Sequence, residues 1–124
     1  MNKLAAAGRL VDARAMSSHP LDAMHIAPDH HQLLFENDRV RILDTLVRPG
    51  EQTPVHGHQW PAALYVLSWS DFIRRDPQGE VMVDSRDRKL GDTGAGLWIP
   101  PLPPHSIENV GSTDLRIIAV EVKG

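Results

Sequence analysis

The stretch PGEQTPVHGHQWPAALYVLSW, from Pro49 to Trp69, decides the fold and raises the question of a metal site. Turn-forming residues lead into two histidines separated by one glycine, and an apolar run without any acidic residue follows them. On a β-strand, side chains at positions i and i+2 point to the same face. We therefore expect His56 and His58 to project together, an arrangement in which they can chelate one metal ion.

Runs of strand-like character continue on both sides of this stretch, from Gln32 onward. Each run is short, rich in Val, Ile, Leu or aromatic residues, and bounded by Gly, Pro, Asn or Asp, which is typical of strands. The runs are QLLFE, RVRILDTLV, AALYVLSW, DFIRR, EVMVD, GLWI, HSIENV and LRIIAVEV. No helical pattern interrupts them, so the sequence predicts an all-β antiparallel sandwich or barrel. A chain of 124 residues suits one such domain with one core.

The first quarter of the chain has a different character. The segment from about Leu4 to Met16 favours a short helix, although Gly8 weakens it. The following SSHPLDAMHIAPDHH has two prolines and no clear period, which indicates an irregular arm. We therefore divide the chain into an N-terminal arm, 1–31, and a barrel domain, 32–124. The arm is expected to lie on the domain or to reach a partner subunit, and its histidines are expected at the surface, although one could cap a neighbouring site: His19, His25, His30 and His31.

Composition limits the partners and the kind of metal site. The net charge of −3, with basic residues scattered among acidic ones, gives no basic footprint for nucleic acid. No apolar run approaches the roughly 18 residues of a membrane span, and charged residues interrupt any signal-peptide core near the N-terminus. We therefore expect a cytoplasmic protein with neither membrane nor nucleic-acid partners. Because the chain has no cysteine, nitrogen and oxygen atoms must hold any metal.

A third histidine strengthens the prediction of a metal site. His105 follows the proline-rich IPPLPP, which is expected to deliver it through a stiff turn to the start of another strand, four residues before Asn109. Together the two histidine segments resemble the two motifs of the cupin superfamily over roughly residues 33–122. Motif one is matched by Gly50, His56 and His58. Motif two is matched by Gly94, Pro100, His105 and Asn109.

The resemblance implies a single-domain jelly-roll β-barrel in which both histidine motifs meet inside one mouth. Three positions depart from the motifs. Trp69 and Leu102 stand where glycines are usual, which suggests altered turns near the mouth. The motif-one glutamate is absent, because Ala62 and Ala63 occupy the two positions that the motif allows for it.

The departure at Ala62 turns the implied site into a three-histidine site formed by His56, His58 and His105. Three neutral imidazoles are a sufficient first shell for a divalent ion, which then keeps its full double positive charge and attracts anions. Fe(II) is favoured, and Zn, Ni, Mn or Co are alternatives. The resemblance permits dioxygenase chemistry, since three-histidine ferrous sites occur in cupins that oxidise thiols or cleave β-diketones.

Other polar residues have both functional and structural explanations. Gln59, Trp60 and Ala62 are candidates for the pocket wall, although a tryptophan before proline more often serves packing. Arg74 and Arg75 could clamp a carboxylate, but we expect them to form a solvated face beside the DPQG turn. Glu121 shares a face with Leu115, Ile117 and Ala119 and could supply a displaced carboxylate, but glutamates at strand ends are usually exposed. We expect Glu121 to be exposed.

Three functions follow from these residues. The first is a metal-dependent enzyme, most simply an Fe(II) dioxygenase-like cupin acting on a small anionic or bidentate substrate. The alternative is a non-catalytic module that binds a metal or a small anion, and the third is a vestigial site in a structural barrel. Because exposed strand edges invite pairing, we also expect a homodimer, with the arm as a candidate contact.

Overall fold

The computed structural model describes residues 20–124, and within them the chain is almost entirely β-structure. One short helix, α1, spans Ala23–Ile26. The strands are β1 (His31–Glu36), β2 (Val40–Val47), β3 (His56–His58), β4 (Ala62–Ser68), β5 (Phe72–Arg75), β6 (Val81–Asp84), β7 (Gly96–Ile99), β8 (Leu102–Asn109) and β9 (Leu115–Val122). The predicted all-β fold is confirmed, whereas the helix predicted over Leu4–Met16 lies outside the described residues.

Two antiparallel sheets face each other, as the predicted jelly roll requires. The five-stranded sheet has the order β1-β2-β9-β4-β7, and the four-stranded sheet has the order β3-β8-β5-β6. The chain crosses between the sheets because β4 and β5, consecutive in sequence, belong to different sheets. Alternate residues of β9 turn inward, and Leu115 and Ala119 are buried beside Leu43, Val47 and Val66. Val47, Leu115 and Ala119 of this core also border the cavity between the sheets, which the histidines line as well.

Two glycines that match the cupin motifs stand where the chain needs a left-handed backbone. Gly50 has φ 82° and Gly94 has φ 85°, conformations that residues with a Cβ rarely adopt. No residue other than glycine between 20 and 124 has a positive φ, so Trp69 and Leu102 fill motif glycine positions with ordinary backbone geometry. The motif asparagine, Asn109, is buried and donates from Nδ2 to the carbonyl oxygens of Val47 and Thr113. Its role is to hold turns together.

The proline-rich segment continues into a strand instead of ending in a turn before His105. β8 begins at Leu102 and includes Pro103 and Pro104. Prolines cannot donate to a neighbouring strand, and they are tolerated here because β5 pairs with β8 only from Ser106 to Asn109. His105 therefore lies inside a strand, opposite His56 of β3.

The described part of the N-terminal segment lies on the barrel, one of the two places expected for the arm. Asp22 caps α1 by accepting a hydrogen bond from the backbone N–H of Met24 at 3.1 Å. The backbone N–H of Gly57 donates to the carbonyl oxygen of Leu21 at 2.7 Å, which fastens this segment to the strand that carries His56 and His58. No helix in the described part of the chain is long and apolar enough to cross a bilayer.

Candidate metal centre

The space between the two sheets contains a cavity of about 360 Å³. Its walls are mainly aliphatic and aromatic, contributed by strands of both sheets. Polar groups enter these walls at a few points only. They belong to His31, His56, His58, His105, Thr45, Thr53, Arg74, Arg88 and Glu121. A concave apolar site with a few convergent polar groups is the usual form of a small-molecule site.

Four imidazole rings cluster at one place in this cavity. One potential ligand atom each from His31, His56 and His58 lies within 4.8 Å of the others. The ring centroids of His56 and His58 are 5.1 Å apart, which confirms that the two side chains project into one space. His105 adjoins the same group, with its ring centroid 4.7 Å from that of His56 and 5.7 Å from that of His58.

Each of the four rings is oriented by an oxygen atom at its Nδ1. Nδ1 of His31 lies 2.9 Å from the carbonyl oxygen of Ala27, and Nδ1 of His56 lies 2.8 Å from that of Pro54. Nδ1 of His105 lies 2.7 Å from the carbonyl oxygen of Pro103. A carbonyl oxygen only accepts hydrogen bonds, so each of these Nδ1 atoms carries the proton. The neutral ring then presents its Nε2 lone pair, the form in which histidine binds metals.

Burial keeps three of the rings neutral. Desolvation lowers the pKa of His31 to about 3, that of His56 to about 4 and that of His105 to about 3. The hydrogen bonds to the carbonyl oxygens raise these pKa values, but they offset only part of the effect of burial. Neighbouring imidazoles lower the pKa values further. Because a metal must displace any proton on its ligand nitrogen, neutral imidazoles are ready to bind at neutral pH.

The fourth ring, His58, is oriented by a carboxylate. Its Nδ1 lies 2.9 Å from Oε2 of Glu121, which is 1% exposed. The expectation that Glu121 is exposed is therefore wrong, because β9 turns this side chain inward with Leu115, Ile117 and Ala119. Glu121 is also the direct cross-strand neighbour of Ala62. Position 62 thus lacks a carboxylate, but Glu121 on the neighbouring strand brings one to the site. This carboxylate contacts Nδ1 of His58 and leaves Nε2 free for a metal.

Arg41 and Asp22 complete a buried network with Glu121 and His58. Nε of Arg41 donates to Oε1 of Glu121 at 2.6 Å, and its two terminal nitrogens donate to the carboxylate of Asp22 at 3.0 Å. Burial raises the pKa values of Asp22 and Glu121, but the hydrogen bonds and charges of Arg41 and His58 outweigh it, so both pKa values are lowered. Both carboxylates are therefore ionised. We call Asp22, Arg41, Glu121 and His58 the buried network.

The structure corrects the expectation that His31 is a surface residue. His31 is 3% exposed, and its ring centroid lies 4.8 Å from that of His56. A bulge between Leu33 and Phe35 interrupts the alternation of inward and outward side chains along β1. The sequence pattern of this strand therefore could not predict that His31 points inward. His25 is exposed and His30 is half-buried, with its Nδ1 3.1 Å from the carbonyl oxygen of Leu46. His19 lies outside the described residues.

The candidate pocket residues fall in three different places. Ala62 borders the cavity. Gln59 lies in a separate groove with residues 101–104. The ring centroid of Trp60 lies 5.0 Å from the guanidinium carbon of Arg41 and 5.1 Å from Nζ of Lys123. This placement of Trp60 agrees with a packing role.

The two adjacent arginines have different surroundings. Arg75 pairs with Glu108 at 2.7 Å. Arg74 borders the cavity, and its Nε atom is buried. The expectation of a solvated face is therefore wrong for Arg74, because β5 turns Phe72 and Arg74 inward on alternate positions.

The donor set fits a divalent transition-metal ion. Imidazole nitrogen suits Zn, Fe, Ni and Cu, whereas Mg and Ca prefer oxygen ligands. The oriented Nδ1 atoms, the burial and the lowered pKa values of three rings are the features that metal-binding histidines require. The atoms that would hold the metal are ring nitrogens and include no carboxylate oxygen, so the metal would retain its double positive charge; Glu121 lies at Nδ1 of His58 and shares Arg41 with Asp22.

Sequence comparison identifies little that is similar to this chain. No protein-family model matches it. An uncharacterized protein from Methanocaldococcus jannaschii is 27% identical over 90 residues, which are 71% of this chain and 64% of that protein. The chain thus spans less than two thirds of the length of this curated relative.

Solved structures are similar in fold at low sequence identity. A cupin-domain protein from Bordetella pertussis has a TM-score of 0.61 and 19% identity, with 76% of this chain and 92% of that chain covered. An RmlC-like cupin with a double-stranded β-helix fold from M. jannaschii has a TM-score of 0.54 and 18% identity, with 74% and 77% covered. The polyketide cyclase RemF from Streptomyces resistomycificus has a TM-score of 0.51 and 24% identity, with 76% and 64% covered. This chain therefore has the cupin fold.

Proposed function

We propose that this cupin-fold protein is a metal-dependent enzyme that acts on a small anionic substrate inside its barrel. The metal would be held by Nε2 atoms of His31, His56, His58 and His105. The observation that carries the proposal is that ligand atoms of His31, His56 and His58 lie within 4.8 Å of one another in an apolar cavity, with the His105 ring centroid 4.7 Å from that of His56. A structural barrel has no need to bury the rings of His31, His56 and His105, because burial removes their hydration and the described part of the protein offers them hydrogen bonds only at Nδ1.

The residues around the rings support binding more than they support acid–base chemistry. The oxygen acceptors at the Nδ1 atoms hold the rings in place, so little reorganisation is needed when an ion enters. The buried network holds His58 in the same way, with the Glu121 carboxylate as the acceptor at Nδ1. The aliphatic wall excludes water from the substrate and strengthens electrostatic interactions within the cavity.

Fe(II) with dioxygenase-like chemistry is the specific form of the function that we favour. A bound Fe(II) ion would supply Lewis acidity and redox chemistry with dioxygen, and four neutral protein ligands would leave room for a bidentate anion on a six-coordinate ion. A second candidate is Lewis-acid catalysis without redox change, with Zn(II) as the ion. It is favoured by the neutral nitrogen set and by the similarity in fold to a protein described as a polyketide cyclase.

A metal-exchange experiment tests the proposal. The full chain would be purified without chelators or nickel resin, analysed for its metal content, stripped, and reloaded separately with Fe(II), Zn(II) or Co(II). We expect one ion per chain and consumption of dioxygen by the Fe(II) form with small carboxylic acids or β-diketones. Turnover by the Zn(II) form without dioxygen consumption would favour the second candidate. A chain that retains no ion under any loading condition would contradict both.

The alternative is a binding module that captures a metal or small anion without turnover. It uses the same rings and the same cavity. Stoichiometric binding of an ion and an anion, with no product from any reloaded form, would support this alternative against the enzyme.

A further inference from the structure

Arg74 is a cation placed in an apolar wall of the cavity. It lies on β5, opposite Ile107 of β8 and Val83 of β6, and both neighbours also border the cavity. Its charge contributes to lowering the pKa of His105, as one of the smaller effects on that ring. Arg74 and the imidazole cluster border the same cavity.

Within the described part of the chain, the half-buried Arg74 has no carboxylate partner of the kind that the buried Arg41 has. Among residues 20–124, the Nε of Arg74 is the one buried side-chain nitrogen or oxygen for which no hydrogen-bond partner is found. Arg41, which is buried, is paired with both Asp22 and Glu121. Burial lowers the pKa of Arg74, and no carboxylate offsets this effect within the described chain. A buried nitrogen without a hydrogen-bond partner is costly, so the unpaired Nε at the cavity wall points to a ligand that completes the guanidinium.

We propose that Arg74 binds the carboxylate of an amphipathic organic acid whose apolar body lies along the cavity wall. A guanidinium matches a carboxylate with paired N–H donors. One monoanion suits the single guanidinium of Arg74, whereas a phosphate dianion would need further donors. The body of the ligand would contact Leu64, Leu97, Ile107 and Ile117, which border the cavity.

This assignment deepens the proposed function and rests on it for the position of the reacting end of the substrate, beside the imidazoles. The contact between Arg74 and the carboxylate does not require the metal. The two ideas can therefore be tested separately, in metal-free and in metal-loaded protein.

The test uses metal-free full-length protein and two probes of equal size, hexanoate and the neutral hexanamide. Binding would be followed by protein NMR chemical shifts. We expect wild type to bind hexanoate at least about tenfold more tightly than hexanamide, because hydrogen bonds between charged groups are stronger than those of neutral groups. In Arg74→Met this preference should disappear. Arg88→Met is the control, because Arg88 borders the same cavity but is exposed, and it should retain most of the preference.

Thermal unfolding separates a binding role from a structural one. Arg74→Met removes a half-buried cation whose Nε has no hydrogen-bond partner among the described residues, so its unfolding midpoint in the absence of ligand should be equal to or above that of wild type. A lowered midpoint together with an unchanged preference for hexanoate would overturn the proposal, as would the absence of any preference in wild type. If Arg74 sets the preference while the chain binds no metal, the proposed function fails and the carboxylate site stands.

Discussion

The four-stranded sheet turns polar side chains into the cavity at two places, and their surroundings differ. On the histidine side, β3 and β8 present rings that are each fixed by an oxygen atom at Nδ1. On the arginine side, β5 presents Arg74 with its Nε buried and unpaired among the described residues. The difference indicates that the histidine side is organised before any ligand arrives, whereas the arginine side is completed by the ligand.

Arg41 and Arg74 show the same difference within one residue type. Arg41 is 3% exposed and contacts two carboxylates, so its charge has a structural role. Arg74 is half-buried and has no carboxylate partner within residues 20–124. Removing the first should therefore damage the fold, and removing the second should damage binding.

The largest effect is expected from breaking the buried network. Arg41→Met leaves the carboxylates of Asp22 and Glu121 buried without their cation, which should lower the free energy of unfolding by about 3–5 kcal/mol. Urea denaturation of metal-free protein measures this change. Arg116→Met is the control, because Arg116 is exposed and pairs with Asp44 at the surface, so its loss of stability should be far smaller than that of Arg41→Met. Equal losses in both variants would mean that the buried network contributes no special stability.

The next effect concerns the ring that the sequence placed at the surface. His31→Ala should weaken Zn(II) binding at least about 100-fold. Removing a group that hydrogen-bonds to a metal ligand costs about 10–100-fold in affinity, and the loss of the ligand itself should cost more. Competition with a chromogenic chelator measures the affinity. His25→Ala is the matched control, since His25 belongs to the same segment and is exposed, and it should bind Zn(II) as wild type does. Wild-type affinity in His31→Ala would remove this ring from the site.

A smaller loss of metal affinity is expected from the group behind His58. Glu121→Gln keeps an oxygen that can accept from Nδ1 but removes its charge, so Zn(II) affinity should fall by about tenfold. The same chelator competition applies. Glu108→Gln is a suitable comparison, because Glu108 pairs with Arg75 away from the rings and its loss should leave Zn(II) affinity unchanged. A Glu121→Gln protein with unaltered affinity would show that Glu121 serves only Arg41.

The smallest effect is expected at the position of the missing motif glutamate. Ala62→Glu adds a carboxylate to the cavity wall beside Glu121 and should weaken hexanoate binding about three- to tenfold by charge repulsion. Ala62→Gln crowds the cavity equally without the charge, so the difference between the two variants isolates the electrostatic part. If both weaken hexanoate binding equally, steric crowding explains the result and the charge argument fails.

The sequence predicted the strands and part of the site because both depend on local patterns. The runs after Gln32 become strands with close to the predicted bounds, and the i, i+2 spacing of His56 and His58 places both rings together. The spacing of Gly50 and Gly94 relative to the histidines likewise reflects local turns that need positive φ. The participation of His105 as a ligand stays a prediction, now supported by its position against His56.

The remaining residues could not be predicted because they depend on register and long-range contacts. His31 directly precedes the predicted run QLLFE, but the bulge in β1 breaks the parity that would have oriented it. In DFIRR, both alternating faces carry one apolar residue and one arginine, so the pattern could not show that Arg74 rather than Arg75 faces inward. Glu121 is buried only because Arg41 and His58, 80 and 63 residues away, converge on it.

X-ray absorption spectroscopy of the Zn(II)-loaded protein tests the central claim, a metal site made of imidazoles, most directly. The outer-shell scattering of imidazole rings gives their number at the ion. The wild-type protein should show four imidazoles, and His31→Ala should show one fewer. A first shell dominated by oxygen, or an imidazole number unchanged by His31→Ala, would contradict the account.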